Sequence, residues 1–118
     1  MPSFESLKAW QKARELTLAV YPLSSKLPEA EQFGLRAQMR RAAVSAMANL
    51  AEGRERETDA DFAHFVTMAA GSIAEVQSYL ILGRDLNYLS DADICSVAAL
   101  AAEALRVVRA LRSSIRDA

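Results

Sequence analysis

Five polar residues, Gln38, Arg41, Ser45, Asn49 and Glu52, interrupt an otherwise apolar stretch, QMRRAAVSAMANLAEG, from Gln38 to Gly53. On a helix, at roughly 100° per residue, all five fall within about 60° of Gln38 and form one narrow line. The line offers amide, guanidinium, hydroxyl and carboxylate groups, hence donors, acceptors and both signs of charge. It reads as a solvated face, as a partly buried hydrogen-bond network, or as a ligand site. Leu35, Met39, Ala42, Ala46 and Leu50 border it on one side, and Val44, Ala48 and Ala51 on the other. A solvated face is broader and richer in Lys and Glu, so the pattern favours a structural network. A catalytic reading needs a pocket with convergent groups of perturbed titration.

A buried network needs partners, because an unpaired buried charge is costly. The stretch AAGSIAE, from Ala69 to Glu75, supplies Ser72 and Glu75 among small residues. Glu75 is expected to pair with Arg41 or Arg40. Gly71 weakens a helix unless it permits close approach of a neighbour, and that role is expected for it. A second set, Arg106, Arg109, Arg112 and Arg116, falls within about 120° on a helix. Four aligned guanidiniums suit phosphate contacts, making RNA or DNA a possible partner. They equally suit a helix C-terminus, where cations offset the dipole.

Other chemistry finds little support. One His and one Cys are too few for a zinc site, and the Glu-x-x-His pairs of bundle di-metal centres are absent. No Ser-His-Asp or Cys-His arrangement and no phosphate-binding Gly loop is recognisable. No metal, cofactor, small-molecule substrate or catalytic residue is expected.

These side chains must be positioned by helices. The spacing of apolar residues predicts four: Glu5 to Ser25, Pro28 or Gln32 to Gly53 or Arg54, Thr58 to Leu86, and Ser90 to Ile115. Gly34 is read as a break in the first turn of the second helix and Gly53 as its C-cap. Thr58 with Asp61 resembles a capping box, and Ser90 is read as an N-cap before Asp91 and Asp93. Four long helices with short connections imply an all-α, antiparallel up-down-up-down four-helix bundle occupying residues 1–118 as one domain. The first and fourth helices are apolar on more than one side, which exceeds what a bundle core needs and points to an oligomer interface.

The composition sets outer bounds. The chain has 118 residues, 52% of them hydrophobic, with only four Gly and three Pro, a balance that favours helices over sheets with many turns. Its formal net charge of −1 gives no general attraction to nucleic acid or anionic membrane, so such binding needs a local basic patch. A single cysteine, Cys95, rules out an intrachain disulfide and fits a reducing compartment. Charges interrupt any N-terminal apolar segment, and uncharged runs fall short of the roughly twenty residues that span a bilayer. A soluble, cytoplasmic protein is expected.

Three segments, FESLKAWQKARELTLAVY, QMRRAAVSAMANLAEGRER and DFAHFVTMAAGSIAEV, resemble the bacterial four-helix bundle proteins related to the 23S rRNA intervening-sequence protein. The resemblance rests on the ordered set Gln38, Arg40 or Arg41, Ala42, Ser45, Asn49, Ala51, Glu52, Gly53, Arg56, Phe62, Gly71, Ser72 and Glu75. It implies an antiparallel bundle that assembles as a ring, usually a homopentamer, with no established catalytic activity. The chain is also similar to the accessory variability protein of diversity-generating retroelements, a basic pentamer that works with nucleic acid. Met47 departs from the pattern, which often has Pro there, and implies a straighter helix.

Overall fold

Four helices account for most of the chain in a computed structural model that describes residues 3–115. α1 is Lys8–Ser24, α2 is Leu35–Arg54, α3 is Asp59–Asp85 and α4 is Asp91–Ser114. They form a rod of 44 × 23 × 21 Å. Neighbouring helices run antiparallel. Thr17 donates to the Ala43 carbonyl, whereas Arg40, earlier on α2, reaches Ser24, later on α1. Ser72 of α3 meets Ser45 of α2, and Arg112 of α4 meets Thr67 of α3.

The helix ends follow local chemistry. α1 begins three residues later than expected, because Phe4–Ser6 form a separate 3-10 turn and Leu7 is extended. Phe4 lies edge-on to Trp10, with ring centroids 5.0 Å apart. The segment expected to open α2 is instead a 3-10 turn, Glu29–Glu31, and α2 starts after Gly34. There the Glu31 carboxylate accepts the Leu35 N–H at 3.0 Å. Thr58 caps α3 by accepting the Asp61 N–H. Ser90 and Asp93 form a full reciprocal capping box on α4, satisfying two N–H groups that a helix start leaves unpaired. Between α3 and α4, Asn87 adopts the left-handed conformation at φ 62°. The turn then folds Leu89 onto Gly83.

The core is aliphatic. Leu16, Val20, Leu27, Met39, Leu50, Val66, Ile73, Val76 and Val108 are fully buried, each worth about 1.5–3 kcal/mol relative to exposure. Two glycines depart from expectation. Gly53 is not a left-handed cap: it lies inside α2, buried, without positive φ. An added Cβ there would stand 2.7 Å from Phe65 Cβ, so Gly53 permits a close approach of α2 and α3. Gly71, expected in that role, is exposed and a Cβ on it would meet nothing within 4 Å.

α3 is unusual in its surface. Between Asp61 and Arg84 its only Asp, Glu, Lys or Arg is Glu75. By length and composition it is long and apolar enough to cross a membrane, and only 33% of its most apolar stretch is buried in the bundle.

Candidate functional site

The polar line divides into parts with different fates. At its centre Ser45 meets α3, where the Ser72 hydroxyl donates to Ser45 Oγ at 3.0 Å. Asn49 Nδ2 donates to the same Oγ at 3.1 Å and to the Ser45 carbonyl at 2.9 Å. Ser72 is buried and Ser45 and Asn49 are half-buried, so a small hydrogen-bonded network does sit in the seam between α2 and α3. At the lower end Glu52 leaves the seam and pairs with Arg56 at 3.1 Å. Gln38 and Arg41, at the upper end, are exposed.

The expected pairing of Glu75 with Arg40 or Arg41 does not form. Arg40 turns to α1, where Nε donates to Ser24 Oγ at 2.6 Å and the guanidinium lies 4.8 Å from the centre of the Tyr21 ring. Arg41 makes no ion pair within 4 Å among the described residues. Glu75 instead accepts from the Tyr79 hydroxyl at 3.3 Å. Burial first, then the charge of Glu75 and that hydrogen bond, raise the Tyr79 pKa, while Arg41 opposes them. Arg41 therefore lies close enough to act through its field but not to bond. The separation of Arg40 from Arg41 is geometric: adjacent helical residues point about 100° apart.

The arginines of α4 are likewise dispersed. Arg106 is bidentate to Glu103, with Nε and Nη2 at 3.1 and 2.7 Å. Arg112 donates to Thr67 on α3 at 3.0 Å, and Arg109 is exposed. Arg116 lies outside the described residues. Glu103 titrates below the usual carboxylate range, chiefly through its hydrogen bond to Arg106, with Lys12 and Lys8 of α1 adding their fields. The cations thus gather across α1 and α4 rather than along one helix. Between these helices runs a groove of about 310 Å³. Leu7, Val107, Ala110 and Leu111 line it together with the exposed cations Lys8 and Arg106.

Lys8 escaped sequence reasoning because it precedes the arginines by nearly the whole chain. So did the stacking of Arg56 over Phe65, at 4.7 Å. Among the described residues no group of three or more His, Cys, Asp or Glu is placed to hold a metal ion. Cys95 is exposed.

Such a fold defines an antiparallel four-helix bundle protein with a polar seam rather than a cleft. The profile of the 23S rRNA-intervening sequence protein family matches residues 5–110, and the chain belongs to that family. A crystal structure of a protein of unknown function from the S23 ribosomal protein family of Bacteroides thetaiotaomicron superposes with a TM-score of 0.82. It is 20% identical, and the match covers 90% of this chain and 99% of that one. At that identity it speaks to the fold alone. No curated protein matches the chain.

Proposed function

We propose that this protein is a non-enzymatic interaction module that works as a homo-oligomer, a ring of five copies as the family resemblance implies, in the cytoplasm. The observation that carries the reading is the surface of α3. A helix with one charged residue between Asp61 and Arg84, yet with only 33% of its most apolar stretch buried, leaves apolar area that a solitary bundle does not use. Ile81 and Leu82 are half exposed, and Met68 is 39% exposed. Burying such surface between copies is the ordinary way to remove it from water. The polar seam supports a structural rather than catalytic role, since Ser45, Asn49 and Ser72 bond one another.

Sedimentation with multi-angle light scattering tests the proposal. The expected mass is a multiple of the 12.9 kDa chain, and a clean monomer at micromolar concentration removes the reading. A second reading, polyanion binding, draws on the gathering of Lys8, Lys12 and Arg106 about Glu103. Labelled RNA or DNA should then bind more weakly as salt rises, and affinity indifferent to salt argues against phosphate contacts.

A further inference from the structure

We propose that the outward ridge of α3 in one copy seats in the groove between α1 and α4 of a second copy. The inference rests on the self-association reading and adds the two faces that meet. The ridge carries Met68 and Leu82, 39% and 44% exposed, with Glu75 as its only charge. Beside them Gly71 stands in open space, so a partner can approach the backbone there.

Covering this ridge creates a requirement. A carboxylate removed from water needs a cation or several donors. Among the described residues Glu75 receives only the Tyr79 hydroxyl, on Oε2, and forms no ion pair with the nearby Arg41. The partner face must therefore be apolar with positive charge at its edge. The α1–α4 groove meets both conditions, with a largely aliphatic lining and the exposed cations Lys8 and Arg106 among its residues. Lys8 makes no ion pair among the described residues. Arg106 spends Nε and Nη2 on Glu103, which leaves Nη1 for a second carboxylate. Contact of α3 with α3 fails the same requirement, since it brings Glu75 toward a like charge. The ridge and the groove lie on different sides of the bundle, so the contact is head-to-tail. Every copy uses both faces, and repetition closes a ring or extends a chain.

Charge reversal tests this. Glu75→Lys alone, and Lys8→Glu with Arg106→Glu, should each weaken association by at least about tenfold, because like charges then face one another across the contact. All three positions are exposed, and circular dichroism checks that each variant stays helical. The triple variant, with both faces reversed, should recover the parent's mass. An independent check places cysteines at Gly71 and Ala110 in a Cys95→Ser background. Mild oxidation should link chains covalently only when both new cysteines are present. A parent that assembles while Glu75→Lys leaves its mass unchanged overturns this pairing of faces but not self-association. A triple variant no better assembled than its parts also overturns it. A monomeric parent removes both.

Discussion

Gly53 takes the close-approach role expected of Gly71, and the difference is measurable. Gly53→Ala forces a Cβ to 2.7 Å from Phe65 Cβ, so the helices must separate. It should destabilise the protein by about 1–3 kcal/mol in urea denaturation, the usual cost of overpacking. Gly71→Ala, with nothing within 4 Å, should instead stabilise the helix by roughly 0.5–1 kcal/mol. Sequence alone misassigned both glycines for a physical reason. A helical wheel gives the angle of a residue but not the distance of the neighbour it faces. A glycine just before a charged turn also has the position of a cap. The same limit explains Arg40 and Arg41: their angles were legible, but not which angle met α1. Ser45, Asn49 and Ser72 were legible because their short side chains reach only the adjoining helix. Ser72→Ala should cost about 0.5–1.5 kcal/mol. A double-mutant cycle with Ser45→Ala should give less than the sum of the single effects, since the two hydroxyls share one bond.

The helices themselves were largely readable, because apolar spacing and caps are local signals. The 3-10 turns Phe4–Ser6 and Glu29–Glu31 were not, since each is fixed by what it packs or caps. The start of α4 shows how an element is secured at both levels. Its capping box is local, but Asp93 also takes a 2.8 Å ion pair from Lys26, beyond the end of α1. The Lys26 hydrogen bond, followed by those from Ser90, lowers the Asp93 pKa from 3.8 to about 2. A carboxylate held below its unfolded value contributes stability that is present above that value and is lost as pH falls through the folded one. Denaturation midpoints of the parent should therefore decline between about pH 4 and pH 2, and Asp93→Asn should flatten that decline. Lys26→Met should shift the decline toward higher pH, which a titration of stability against pH would show.

For the whole molecule, the fold class followed from composition and periodicity, whereas the apolar outer surface of α3 did not. The first and fourth helices have wide apolar bands and border the groove, and α3 carries the longest stretch with a single charge. Counting apolar residues on a wheel does not reveal which of them a bundle consumes. If association buries that stretch, unfolding is linked to dissociation, and the melting temperature should rise with protein concentration. A melting temperature constant over a hundredfold dilution range would contradict this. Glu75→Lys should lower the melting temperature at high concentration and remove its dependence on dilution.

Trp10, the single tryptophan of the chain, is half-buried near the start of α1, edge-on to Phe4 of the detached 3-10 turn. The protein therefore carries its single indole where a three-residue turn rests on α1 and α2. Such a turn belongs to the low-stability end of local opening equilibria. Indole emission should shift to the red at lower urea than the loss of helical dichroism. The gap between the two midpoints measures how weakly this turn is held, with excitation at the red edge of indole absorption, where the tyrosines do not absorb.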